Sequence, residues 1–399
     1  MAKLAGVAPI PPPKNQAFPF LEWLLIIIFV CMLWLPTLDT IFGFDYTQPP
    51  GENRLPAPRP QLVRLDLAGV QHYLAAAEAY FNDHFGYRKR LIRWFQEWKV
   101  RLFKDESGTK VVVGQNGWYY TGEGQMVDNY LGIAPFTPER LDAWRRLLEK
   151  RRDWLAARGI RYLFVIAPDK QDIYPENLPE WLLKATPQGR KTKLDQFLNY
   201  MKDHSSVEIL DLRQPLIDAK SIAPLYLQND THWNMLGSFI GCKAVVDGLS
   251  NQFPDLPPLR MEDFIWTNTP AMGGDQARIL GLDVPEKNYF AFQSGPALSG
   301  FLTISNSAYK SNWGPKRMVI TENKAPLRRT LVVFDDSFGF SWQMFLGHCF
   351  KRAAFEWESQ DFNTTLILSN NPDVVVTEML ERSFDIYDPN IISAKDALP

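Results

Sequence analysis

Cysteine and histidine are scarce in this chain, with three Cys and five His among 399 residues. The two types never combine at metal-ligand spacing, which removes the zinc-finger class of site. Excess charge is missing too. A formal net charge of -2 gives no electrostatic footprint for nucleic acid. Internal repeats are absent, and low complexity is confined to Pro11-Pro12-Pro13 and a proline-rich stretch ending at Pro60. Only one long hydrophobic run occurs, so the chain is not built as a multi-spanning transporter.

What is present suits a folded protein. With 46% apolar and 22% charged residues, the chain can build one large domain, or one domain with accessories. The 13% aromatic content fits a large core, with sugar-stacking surfaces as the alternative. Cys31 lies in the hydrophobic run, which leaves Cys242 and Cys349 as one possible pair. Two buried thiols are the simpler reading; a disulfide is the alternative in an oxidising compartment.

Residues 18–38 are nearly all apolar, with one charge at Glu22 and a proline at Pro36. That length matches the ~20 residues of a membrane-spanning helix. Lys3 and Lys14 precede it, so residues 1–17 are expected to stay cytoplasmic. Trp34-Leu35-Pro36-Thr37 is a poor cleavage site, which favours an uncleaved signal anchor over a cleaved signal peptide. Residues 39–65 then read as a stiff, proline-rich connector, and 66–399 as an exported domain.

Within that domain, residues 70–103 read as one or two amphipathic helices. Asn116-Gly117 between two apolar runs signals a β-hairpin. A helix starts at Thr137-Pro138-Glu139 and ends at Gly159, followed by a strand over 160–167. Further helices are expected near 189–203, 234–249 and 341–355, with strands at 207–212, 331–334 and 373–377. The alternation implies βαβ units and a parallel sheet flanked by helices. Residues 262–324 read as an irregular insertion.

Two segments carry chemistry. Asp230-Thr231-His232-Trp233 sets an imidazole beside a carboxylate at the mouth of a helix. Asp336-Ser337-Phe338 follows an apolar strand and sets a hydroxyl at the sheet's carboxyl edge, where open α/β sheets bind ligands. Serine, histidine and aspartate are the groups of nucleophilic acyl transfer: Ser337 attacks, His232 moves the proton, Asp230 orients His232. Ser337 alone could merely cap a helix. Ser341 competes as nucleophile but lies further into the expected helix. Lys170 and Tyr174, on a strand-exit loop at the same edge, are candidates for substrate contact. Trp233 either stacks on sugar or packs the motif.

Several blocks in order carry a resemblance. They are Asn82-Asp83-His84-Phe85-Gly86-Tyr87-Arg88, Val113-Gly114-Gln115-Asn116-Gly117-Trp118-Tyr119-Tyr120, and Pro168-Asp169-Lys170 with Tyr174-Pro175-Glu176. The Asp230 block, Gly274-Asp275-Gln276-Ala277, the Ser337 block, and Pro372-Asp373-Val374-Val375-Val376 with Glu381-Arg382 follow. The chain resembles the alginate O-acetyltransferase group, the AlgX/AlgJ-like family of the SGNH-hydrolase-like superfamily. It looks closer to the membrane-anchored AlgJ type, because little chain follows Arg382 for a carbohydrate-binding module. The resemblance implies an SGNH-like α/β fold with circularly permuted motif order. It implies catalytic Ser337, His232 and Asp230, with Arg382 joining the candidate substrate contacts and the Ser337 N–H as an oxyanion donor. It further implies acetyl transfer to an exported polysaccharide without cofactor or metal. The domain would lie in the periplasm, anchored in the inner membrane beside a membrane-bound O-acyltransferase partner that supplies acetyl groups. A carbohydrate esterase with the same triad, or a non-catalytic scaffold, are the alternatives. One departure stands out: Asp335 replaces the glycine that usually precedes Asp-Ser, and its side chain is expected to narrow the oxyanion approach.

Overall fold

A computed structural model describes residues 19–44, 56–62, 64–98, 111–122, 125–280, 282, 284–293, 301–311, 314–357, 360, 362–396 and 398. The chain forms two compact units, Met1–Phe95 and Gln96–Pro399. The expected cytoplasmic segment 1–17, and residues 45–55 and 63 of the expected connector, lie outside the described residues.

In the first unit, Pro19–Phe42 is one helix, and its stretch from Phe20 to Phe42 is long and apolar enough to cross a membrane. The expected span thus runs on helically into the connector, through Phe42. Leu67–His84 and Arg88–Trp98 are the two helices expected from 70–103. Asp66 caps the former by accepting from the Gly69 N–H at 2.8 Å. The Gly86 and Tyr87 N–H groups donate to Thr40 and Asp39 at 2.9 Å each.

The second unit is built on a seven-stranded sheet. A hairpin comes first, β1 (Val111–Val113) and β2 (Tyr119–Thr121), with Asn116 and Gly117 at φ 56° and 80°. These left-handed values explain the Asn-Gly signal. Strands β3 (Arg161–Ala167) and β4 (Ile209–Asp211) follow. β5 (Ile265–Met272) pairs with β6 (Pro285–Gln293) as a separate antiparallel ribbon. β7 (Phe301–Ser311), β8 (Gly314–Asn323), β9 (Thr330–Asp335), β10 (Arg352–Trp357) and β11 (Val374–Leu380) complete the set. The main sheet runs β4-β3-β11-β9-β10-β8-β7, parallel through β10 and antiparallel beyond.

This is the SGNH-like α/β fold, with two corrections to its outline. The segment read as an irregular insertion forms long antiparallel strands, two of which extend the main sheet. The helix expected over 341–355 stops at Leu346, and Arg352–Trp357 crosses into the sheet. Ala353-Ala354-Phe355 is short, apolar and equally compatible with either period, and the slot between β9 and β8 decides for strand.

Period-two alternation supplies both faces of the sheet. Leu163, Val165, Leu331, Val333, Val374 and Val376 face the Met235–Ser250 helix side. Tyr162, Phe164, Ile166, Val332, Phe334 and Val375 face the opposite side, with Trp144, Leu148 and Phe197 from the Pro138–Ala156 and Lys193–His204 helices. Each such side chain contributes roughly 1.5–3 kcal/mol on burial.

One buried ion pair pins the C-terminal Pro389–Asp396 helix. Arg151 donates to both Asp396 oxygens at 2.7 and 3.0 Å and to the Gln360 carbonyl at 2.6 Å. Both side chains are 2% exposed. Replacing Arg151 by Met should cost about 3–5 kcal/mol, because it strands a buried carboxylate. Adding Asp396→Leu should recover most of that loss. Urea unfolding of the detergent-purified chain measures it; single and double variants of equal stability would overturn the assignment.

Candidate functional site

β9 delivers the serine turn. It ends at Asp335, and the chain reverses through Asp336-Ser337-Phe338 before a short 3-10 turn and the Trp342–Leu346 helix. Asp336 shapes the reversal from below. Its Oδ1 accepts from the Phe338 N–H at 2.9 Å and its Oδ2 from the Leu380 N–H at 2.8 Å. Ser337 is left half-buried, and its hydroxyl and N–H make no hydrogen bond among the described residues. Ser341 is otherwise engaged, with its hydroxyl 2.6 Å from that of Ser238.

The histidine arrives on the loop before the Met235–Ser250 helix. Its Nδ1–H donates to Asp230 Oδ1 at 2.7 Å, and its own backbone N–H to the same oxygen at 3.0 Å. Asp230 Oδ2 accepts from the Asp275 N–H at 2.9 Å. Burial opposes ionisation of Asp230, but the His232 contact and these N–H groups outweigh it and hold the carboxyl well below the usual range. With Nδ1 bound to Asp230, Nε2 is the nitrogen free to take a proton.

Ser337, His232 and Asp230 line one cavity of about 450 Å³ at the carboxyl edge of the sheet. Trp233 forms part of its wall and ties its two halves together: the indole N–H donates to the Phe338 carbonyl at 2.9 Å, across 105 residues of sequence. Phe338 also packs on His232, with ring centroids 5.1 Å apart.

The other expected contact residues lie elsewhere, and none lines this cavity. Lys170 is buried, and its ammonium donates to the carbonyls of Leu227, Gln228 and Asp230 at 3.0, 3.0 and 2.6 Å. Tyr174 is buried against Trp118, its hydroxyl accepting from the Leu225 N–H at 2.9 Å. Arg382 pairs with Asp169 and lies over the Phe338 ring. All three brace the site from behind. The Asp335 side chain packs on Gly339 and lines a neighbouring small pocket that Ser337 and His232 do not line.

Sequence reading gave Asp275 no role. It sits beyond His232, with Oδ2 3.9 Å from Nδ1, and its Oδ1 accepts from the Thr231 N–H at 2.7 Å. No spacing rule joins Asp275 to a motif 45 residues away. Asp230, His232 and Asp275 lie close enough to share a metal ion. Both Asp230 oxygens and the Nδ1 position are, however, occupied by hydrogen bonds within the cluster. Cys242 and Cys349 are free, buried thiols.

Fold and site together define an SGNH hydrolase-like α/β domain with serine, histidine and aspartate at one cavity. The family model for the SGNH hydrolase-like domain of acetyltransferase AlgX matches residues 111–293. Asp230, His232 and Asp275 fall within the match, and Ser337 lies beyond it. The chain is similar to the probable alginate O-acetylase AlgJ of Pseudomonas syringae pv. tomato, 27% identical over 45% of this chain and 45% of that protein. Its likeness to the protein of that name from Pseudomonas putida is 26% over 52% and 51%. The matches therefore span about half the length of these relatives. Among solved structures, Bacillus cereus PatB1 shares the fold at TM-score 0.50 and 14% identity, covering 71% of this chain and 99% of that one.

Two outcomes test this geometry. Trp233→Phe removes the bond to Phe338 and part of a buried ring, so it should cost roughly 2–3 kcal/mol of stability. A site reaction depending on the Ser337–His232 alignment should fall at least tenfold; turnover equal to the parent would refute the coupling. Beneath the turn, Glu378 accepts from the Asp336 N–H at 3.0 Å. Burial, with Asp336 beside it, pushes its carboxyl well above the usual range. A carboxyl raised on folding favours the native state at low pH, and that benefit is lost as pH rises through the folded value. Glu378→Gln should therefore stabilise the protein toward neutral and alkaline pH relative to the parent. A Tm difference that does not grow with pH would argue against a protonated Glu378.

Proposed function

We propose that this chain is a polysaccharide O-acetyltransferase working through an acetyl-serine intermediate. The observation that carries the reading is the joint lining of one cavity by Ser337 and the Asp230–His232 pair. The AlgJ relatives supply the substrate class: alginate or a similar exported polysaccharide.

In this reading Ser337 Oγ attacks the acetyl carbonyl of the donor while His232 Nε2 takes its proton. The tetrahedral oxyanion gains from the Ser337 N–H at the start of the turn. Collapse breaks the donor bond, and His232 returns the proton to the leaving group. A sugar hydroxyl then attacks acetyl-Ser337, gives its proton to His232, and departs as the O-acetyl sugar. Ser337 recovers its proton from the imidazolium. Asp230 holds the tautomer and stabilises the imidazolium throughout.

Acetyl groups made on the cytoplasmic side must cross a membrane to reach such a domain. We assign that relay to a membrane-bound O-acyltransferase partner, with the Pro19–Phe42 helix as inner-membrane anchor and the second unit in the periplasm. Half-buried Ser337 and His232 suit access by a polymer, with no cofactor taking part in these steps.

The test follows both enzyme and sugar by intact-mass spectrometry, using the full chain in detergent, 4-nitrophenyl acetate and mannuronate oligosaccharides. Acetyl should appear on Ser337 and then on sugar, and Ser337→Ala should abolish both. Asp230→Asn should lower kcat roughly 10³–10⁴-fold by favouring the wrong tautomer. Acetate release without acetylated sugar would replace the transferase with an esterase.

A further inference from the structure

We propose that Phe340 and Trp357 form an aromatic platform at the mouth of the Ser337 cavity, which binds the apolar C–H face of an acceptor pyranose. Both residues line the cavity with Ser337 and His232. They come from separate elements. Phe340 is in the 3-10 turn just past the serine, and Trp357 ends β10, the strand beside β9. Their rings meet edge to face, centroids 6.2 Å apart at 77°. Phe340 is 51% exposed, so its ring presents an apolar face at this cavity. Trp342 and Phe345 follow within the same segment and are fully buried. The exposed ring is therefore a feature of this one position.

The chemistry of the lining names the occupant. The described lining residues include no lysine or arginine, and the nearest charged group is Asp230. A site so equipped does not recognise a carboxylate or phosphate by charge. Apolar rings with hydroxyl and imidazole groups beside them suit a sugar, whose C–H face stacks while its rim hydroxyls bond. Docked there, one hydroxyl of the ring would reach toward His232 and acetyl-Ser337. The covering ring would also displace water from the ester. The platform thereby favours transfer over hydrolysis, and in that respect it rests on the acetyltransferase reading.

Binding and transfer are measured separately. In the Ser337→Ala background, mannuronate and cello-oligosaccharides are titrated by calorimetry against Phe340 and against Phe340→Ala. Loss of one aromatic contact should weaken binding about 3- to 10-fold, and Phe340→Trp should restore it. With Ser337 intact, Phe340→Ala should raise the acceptor KM and lower the ratio of acetyl-sugar to acetate. Trp357→Ala should act in the same direction, with circular dichroism confirming its fold. Equal sugar affinity with and without the Phe340 ring, or no sugar binding at all, overturns the platform. Phe340-dependent binding in a protein whose parent never acetylates sugar upholds the platform and removes the acetyltransferase reading instead.

Discussion

The bond from the Trp233 indole to the Phe338 carbonyl is the contact on which the site depends. The proposed mechanism needs Ser337 and His232 to meet within a few tenths of an ångström, yet they ride on different loops. Trp233 is covalently next to His232, and Phe338 is covalently next to Ser337. One buried hydrogen bond therefore ties the two loops together. It is reinforced by packing: Trp233 stacks at 6.4 Å from Trp342 and meets Phe338 edge to face at 5.1 Å. Gly237 and Gly241 leave the space this indole occupies, since a Cβ at Gly237 would come 2.8 Å from the Trp233 Cβ.

The histidine loop is held from its other sides by polar contacts. Lys170 gathers three carbonyls, the Tyr119 N–H donates to the Gln228 carbonyl at 2.9 Å, and Asn229 accepts from the Gly274 N–H at 2.9 Å. Burying an ammonium is costly unless its donors are met, and three carbonyl oxygens meet all of them. This gives Lys170 a structural role in holding the loop. A rigid loop needs its inward carbonyls satisfied, and a lysine reaching from the β3 exit does so where no secondary structure can. Gly274 closes the arrangement, because a Cβ there would lie 2.2 Å from the Asn229 carbonyl oxygen.

These contacts show why the sequence was legible in parts. The hairpin at Asn116-Gly117, the capped helix at Thr137 and the β3, β9 and β11 strands follow local rules, and each rule has its physical cause in the chain itself. Asp230, His232 and Ser337 were legible as candidates because their residue types already specify a chemistry, and all three line one cavity. That Lys170 and Tyr174 do not line this cavity was not legible, for a simple reason. Sequence locates a residue at a sheet edge, whereas the side chain's direction depends on which polar groups nearby lack partners. Asp275 was illegible because its partner lies 45 residues upstream. Residues 352–357 looked helical because a short apolar run carries no period long enough to choose.

The exchange of glycine for Asp335 draws these threads together. Where the main chain needs room beside the serine turn, a glycine before Asp-Ser would provide it. Here Asp335 packs against Gly339, where a Cβ would lie 2.3 Å from the Asp335 Cβ. With Gly339 bare, the Asp335 side chain fits between the turn and β8, and reaches the small pocket shared with Val319, Gln343 and Phe355. Phe340 follows Gly339 directly and borders both that pocket and the serine cavity. Asp335 thus borders the face on which Phe340 and Trp357 stand. A change that looks like damage to a catalytic motif becomes, in three dimensions, part of how the cavity mouth is built.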